Sequence, residues 1–231
     1  MLPEICHIGP FTIYSYGLML VLAFFVSSYL AVRQAKKTQI APEKIFNLMF
    51  YVFISGIIGS RVFYILLNLP YYLKYPLEVI MLQHGGMAIF GGIIFGLIFA
   101  WLFIRRNKMD LLATLDLLAP FIALGQAIGR IGCFLNGCCY GKDHIPIQLY
   151  SSLLLFLIFL ALRFMQERKH AQGKILYFYL FFYSIKRFSI EFFRNDSPRI
   201  FSGLTIFQLL SLAMFFLSLA LLIRLFYFKK K

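Results

Sequence analysis

The sequence predicts an all-α, polytopic integral membrane protein of about seven transmembrane helices, amino terminus outside and carboxyl terminus cytoplasmic. Three observations carry that expectation. Of the 231 residues, 61% are hydrophobic and only 14% charged, with a mean hydropathy of +0.81, whereas soluble domains are about 45–50% apolar and about 25% charged. Apolar stretches long enough to cross a hydrocarbon core of about 30 Å recur seven times. The basic residues between them are sorted to one side. The same figures exclude a disordered, collagenous or disulfide-rich secreted chain, and four cysteines, two of them adjacent, make no disulfide framework. A net charge of +14 would suit nucleic acid on a soluble protein, but a greasy chain offers no soluble basic face, so no nucleic-acid partner is expected.

The spans fall at about residues 11–32, 45–67, 87–104, 111–129, 147–164, 175–193 and 204–228. The first is too long for a cleavable signal, and the MLPEICHIGP segment before it carries no Lys or Arg. Pro120 in the fourth is tolerable because neighbouring helices can satisfy the freed carbonyl. Arg33, Lys36, Lys37 and Lys44 follow the first span; Arg105, Arg106 and Lys108 follow the third; Arg163, Arg168, Lys169 and Lys174 follow the fifth. With Arg224 and Lys229 to Lys231 at the end, fifteen of the 23 basic residues share one side, which orients the chain. No repeat or linker divides it, so one membrane-embedded domain, 1–231, is expected. Gly92-x-x-x-Gly96, Gly125-x-x-x-Gly129 and Gly137-x-x-x-Gly141 have the spacing of close helix packing.

Charge in hydrocarbon costs at least about 2.5–3.5 kcal/mol per residue, so each case requires a partner or a purpose. The sixth span holds the densest set: Tyr183, Arg187, Glu191 and Arg194 fall on one helix face. Lys186 points elsewhere, and snorkelling accounts for it. Arg187 and Glu191 lie in the outer half of that span, at the depth of Arg61, Arg130 and Tyr16 from three other spans. Arginine donates bidentately and stays charged, so an outer-leaflet lipid phosphate is the expected ligand. Asp116, near the cytoplasmic end of its helix, is read as structural. The segment GQAIGRIGCFLNGCCYG, 125–141, is the most distinctive; its glycines suit non-helical backbone lining a cavity. Cys133, Cys138 and Cys139 have no C-x-x-C and no His at ligand spacing, so small buried thiols are expected rather than a metal.

These motifs resemble the prolipoprotein diacylglyceryl transferase family. The likeness runs through YSYGLM (14–19), GSRVFY (59–64), GGMAIFGG (85–92), DLLAPFIALGQAIGRIGCFLNG (116–137), PIQLY (146–150) and RFSIEFFR (187–194), in that order. It implies transfer of diacylglyceryl from phosphatidylglycerol to the lipobox cysteine thiol of a preprolipoprotein, with release of glycerol phosphate. That is the first step of bacterial lipoprotein maturation, in the cytoplasmic (inner) membrane. The partners it implies are phosphatidylglycerol, the preprolipoprotein signal peptide and membrane lipids. No metal or nucleotide motif appears in the sequence, so neither cofactor nor metal is expected. Carried over by position, Arg130 matches the signature arginine of lipid binding and Arg187 the later essential arginine. Tyr16, Asn136, Gly141, Tyr183 and Glu191 fall on motif positions, and Arg61 on the second-span motif.

The resemblance implies that Arg130 and Arg187 hold the phosphate while Tyr16, Tyr183 and Glu191 orient them or relay the proton, with Arg61, Asn136 and Gly141 in the phosphatidylglycerol site. Because the nucleophilic thiol belongs to the substrate, no Ser-His-Asp or Cys-His set is required. The chain departs from the family in places. Phe90 stands where some members have a His proposed as base, Ile145 and Ser151 flank PIQLY where others have His and Glu, and Cys133 and Cys138 replace Asn and Glu. His144 is a candidate proton acceptor, and His84 is read as an ordinary loop residue. The general base is therefore open. Three alternatives stand beside the transferase: a related diacylglyceryl or headgroup transferase with another acceptor, a non-enzymatic lipid-binding or lipid-transport protein, and a thiol oxidoreductase using Cys138 and Cys139.

Overall fold

A computed structural model describes residues 4–8, 11–79, 81, 85–168, 171–194, 199–201 and 203–228. It is built almost wholly of helices: α1 Ser15–Ala35, α2 Pro42–Leu67, α3 Leu69–Lys74, α4 Ile89–Arg106, α5 Leu111–Leu135, α6 Ile147–Gln166, α7 Lys174–Glu191 and α8 Ile206–Phe228. Six of them, all but α3 and α7, are long and apolar enough to cross a membrane. The chain is thus a polytopic α-helical membrane protein, as its composition predicts. The seventh expected span, α7, forms a full helix but carries Lys174, Lys186, Arg187 and Glu191, too many charges to qualify on apolarity.

The first span starts later than periodicity suggests, because Glu4–Ile8 (β1) and Phe11–Tyr14 (β2) pair as an antiparallel hairpin before it. A second small ribbon, Arg199–Phe201 (β3) with Leu204–Thr205 (β4), leads into α8. Neither hairpin has a signal strong enough to separate it from the apolar helix that follows. The fourth span is longer than expected. It continues as α5 to Leu135, so the glycine-rich stretch is helical until Asn136 and not irregular throughout.

The chain divides into two compact units, residues 32–111 and residues 1–31 with 112–231. In the first, α2 packs against α4 at a close crossing. A side chain at Gly59 would collide with Phe95 and stand 2.7 Å from the Gly91 carbonyl, so only glycine permits this approach. Arg61, two residues on, is buried. Its guanidinium donates to the backbone carbonyls of Glu78, Val79, Met81, Gly85 and Gly86, gathering the segment between α3 and α4 around itself. The ring of Tyr72 covers its other face at 5.5 Å.

In the second unit the core lies among α5, α6 and α7, where Ala119, Ala123, Ile158, Leu162, Ile175 and Tyr179 form one buried cluster. Small residues on α5 admit the larger side chains of the other two helices. Asp116 fixes the start of α7: its two carboxylate oxygens accept the backbone N–H groups of Gly173 at 2.6 Å and Leu176 at 2.8 Å. A carboxylate on unpaired N–H groups at a helix start stabilises that end. The structural reading of Asp116 thereby has its cause.

Candidate active site

The site assembles at one end of the second unit, where α5 and α7 finish and α1, α6 and α8 begin. α5 approaches α1 through Gly132, whose added Cβ would lie 2.9 Å from Met19 and 3.4 Å from the Tyr16 ring. This contact sets Tyr16, the second residue of α1, beside the last turns of α5. Arg130 sits there, half-buried. Among the described residues no hydrogen bond or ion pair engages its guanidinium. Its five donors are available to a ligand.

α7 supplies the second arginine. Arg187 Nη2 lies 3.2 Å from Glu191 Oε2, one turn on, and the Glu191 side chain is fully buried. The pair is close but not aligned as a hydrogen bond, so Oε2 keeps an acceptor direction open. The other oxygen, Oε1, accepts the Thr205 hydroxyl at 3.2 Å, and the ring of Phe207 lies 4.7 Å from the Arg187 guanidinium carbon. Residues just before and within α8 therefore hold both members of the pair.

Lys186 is the correction on this helix. It does not snorkel: it is buried at 5% exposure, with its ammonium 4.8 Å above the Tyr183 ring. Tyr183 in turn rests on Tyr179, at 5.7 Å between ring centres. Arg194 also differs from the helix-face reading, because α7 ends at Glu191 and Arg194 follows in a turn, its N–H on the Glu191 carbonyl at 3.2 Å. Arg130, Lys186, Arg187 and Arg194 lie within electrostatic reach of one another. This gathering of cations around the Glu191 carboxylate suits the site to an anion.

The connection from α5 to α6 closes it. Gly141 pairs with Arg194 as an isolated antiparallel bridge, and the Lys142 N–H reaches the Phe193 carbonyl at 2.8 Å. A Cβ on Gly141 would stand 2.7 Å from Ile147 and 2.8 Å from the Phe193 carbonyl, so glycine is required for the two segments to meet. Gln148, wholly buried at the start of α6, donates to the Cys138 carbonyl at 2.6 Å. Asn136 caps the same turn, with its N–H on Gly132 at 3.0 Å and its side chain on the Cys138 thiol.

This turn folds back so that the sulfurs of Cys133, Cys138 and Cys139 all lie within 4.8 Å of one another, as free thiols. Hydrogen bonds from Cys133 and then Cys138, with Arg130 and Arg194 nearby, draw the Cys139 thiol down to about 5. Burial and the hydrogen bond to Cys139 push the Cys138 thiol up.

Arg61 belongs to the other unit, where its donors are on backbone carbonyls. Phe90, which stands where some family members have His, is exposed on α4. His144 is exposed, in a left-handed conformation beside Tyr140. His84 lies outside the described residues. Sequence reading set Lys186 aside from the site and missed Gln148 and Thr205, which become visible only through their contacts with the Cys138 carbonyl and with Glu191.

The family model described as prolipoprotein diacylglyceryl transferase matches residues 3–224. The chain is 32% identical over 244 residues to the phosphatidylglycerol–prolipoprotein diacylglyceryl transferase of Streptococcus agalactiae, covering 96% of this chain and 95% of the relative. The protein of that name from Clostridium tetani is 32% identical over 92% of this chain and 93% of its own. That of Finegoldia magna is 36% identical over 86% and 85%. With a family match over nearly its whole length and relatives of this similarity, the chain belongs to the prolipoprotein diacylglyceryl transferase family.

Proposed function

We propose that this protein transfers the diacylglyceryl group of phosphatidylglycerol to the lipobox cysteine of preprolipoproteins, in the bacterial cytoplasmic membrane. The observation that carries the reading is Arg130, a half-buried arginine with unengaged donors within reach of Arg187, in a chain of this family. The lipid enters laterally from the outer leaflet, the amino terminus lying outside, and its phosphate is held between the two guanidiniums. The substrate thiol loses its proton to become the nucleophile. Its sulfur attacks the glyceryl carbon bearing the phosphate, the carbon–oxygen bond breaks, and the electron pair leaves on glycerol phosphate. Negative charge grows on the phosphate along that path, where preorganised arginines stabilise it most.

Glu191 and Thr205 fix Arg187, Tyr16 and Tyr183 flank the two arginines, and Gly141 with Asn136 holds the connection over them. Arg61 organises its own segment and is a positioning residue. The test is a defined assay with the purified protein, phosphatidylglycerol vesicles and a lipobox peptide. Wild type should yield the thioether product, and Arg130→Ala should lose at least about a hundredfold, the scale of one lost charge-stabilising group. Near-full transfer by Arg130→Ala would overturn the assignment. A peptide with Ser in place of the acceptor Cys should not react.

A further inference from the structure

The three thiols beside Arg130 have no part in the transfer just described. Cys133 stands on the last turn of α5, and the chain reverses at once after it. Gly137 turns with φ +75° and Cys139 with φ +65°, the left-handed region that a β-carbon disfavours. Two further contacts hold the reversal: the Cys138 N–H on the Cys133 carbonyl at 3.1 Å, and the buried Gln148 amide on the Cys138 carbonyl at 2.6 Å. A strained backbone at Cys139 persists only where its surroundings over-determine it. Here the result is convergence of three sulfurs, with Cys138 and Cys139 Sγ 3.5 Å apart and all three within 4.8 Å.

Sulfur–metal bonds of about 2.3 Å place the sulfurs of a trigonal or tetrahedral centre about 3.8–4.0 Å apart. The observed spacing therefore requires little movement to close on an ion. No carboxylate or imidazole joins the cluster among the described residues, and an all-sulfur set selects soft ions over magnesium or calcium. Cys139 is exposed, which gives the ion a way in. Arg130 and Arg194 stand close enough to Cys139 to offset the negative charge of bound thiolates.

We propose that Cys133, Cys138 and Cys139 form a binding site for one thiophilic d10 metal ion, of the Zn(II) or Cu(I) class. Loading releases the thiol protons to solvent as the three sulfur–metal bonds form, with no change of oxidation state. The site is independent of the transferase reading and stands or falls separately from it.

The experiment uses the reduced full-length protein in detergent, titrated with Cd(II) as a spectroscopic probe and with Zn(II) for metal analysis after desalting. Wild type and Cys6→Ser, which removes the cysteine outside the cluster, should each bind one ion per chain, with a thiolate-to-cadmium ultraviolet band. Each of Cys133→Ser, Cys138→Ser and Cys139→Ser should bind at least tenfold more weakly, and the triple variant should lose the band. In the wild type, bound Cd(II) should protect these three cysteines from iodoacetamide, mapped by mass spectrometry, a readout that needs no variant to fold. Equal binding by wild type and triple variant, or alkylation of the three cysteines unaffected by Cd(II), would overturn the proposal.

Discussion

Glu191 holds Arg187 at 3.2 Å from one carboxylate oxygen and the Thr205 hydroxyl at 3.2 Å from the other, with its own side chain fully buried. The Glu191 carboxylate thus sits among cations and is locked by the residue that precedes α8. Its burial would be expensive alone, and it is tolerable because both of its oxygens have cationic or hydroxyl neighbours.

Removing the charge from this pair should cost stability through what is left behind. Glu191→Gln keeps size and the Thr205 contact but leaves Arg187 unpaired beside Lys186 and Arg194. Breaking one side of a buried pair costs about 3–5 kcal/mol, and the 13% exposure of Arg187 puts the expectation at the low end. Arg187→Gln with Glu191→Gln should recover much of the loss. Denaturant unfolding in detergent of both singles and the double gives the coupling energy, and strict additivity would show that the two charges do not interact.

Arg130 and Arg61 should behave as opposites. Arg130 has no hydrogen-bond partner to abandon among the described residues, so Arg130→Ala should change stability by less than about 0.5 kcal/mol while removing transfer. Arg61→Ala strips the donors from five backbone carbonyls. These carbonyls are only partly buried, so at about 0.5–1.5 kcal/mol net for each lost hydrogen bond the protein should lose at least about 2 kcal/mol. Hydrogen exchange should rise locally at residues 76–79 and 85–88 in Arg61→Ala and stay unchanged in Arg130→Ala.

Periodicity and length locate the long helices, because apolarity in a membrane chain is a strong and continuous signal, but they set the end of α5 too early at the glycine-rich stretch. The arginines were legible for the opposite reason, as charges that hydrocarbon does not tolerate unexplained. What escaped was whatever depends on contacts between distant segments. Arg61 and Arg130 look alike in sequence, and only the carbonyls gathered at residues 78–86 tell a structural guanidinium from an available one. Lys186 reads as a snorkelling lysine until Tyr183 is seen beneath it. The spacing of Cys133, Cys138 and Cys139 matches no ligand pattern, and it takes a left-handed turn at Cys139 to bring them together.

Alkylation should rank those cysteines by their thiolate fractions. With hydrogen bonds from Cys133 and Cys138 holding its thiol down to about 5, Cys139 should reach a pH-independent thiolate fraction by about pH 6 in the metal-free protein. Cys138, pushed up by burial and by Cys139, should still be gaining reactivity at pH 8. Iodoacetamide labelling with peptide mapping between pH 4 and 8 reads both curves, and parallel curves would contradict the assigned hydrogen bonds.

Gly141→Ala should damage the site more than the fold. The added methyl meets Ile147 at 2.7 Å and the Phe193 carbonyl at 2.8 Å. A side chain can yield, but a carbonyl held by the Lys142 N–H cannot move without parting the connection from the end of α7. Overpacking of this kind costs about 1–3 kcal/mol, whereas the Arg194 bridge depends directly on the contact. Transfer should fall at least tenfold, and removing the clashing Cγ2 methyl with Ile147→Leu, which keeps the side-chain volume, should restore stability without restoring activity. Recovery of both in the Gly141→Ala, Ile147→Leu double variant would mean that crowding at Ile147, and not displacement of Phe193 and Arg194, is the damage.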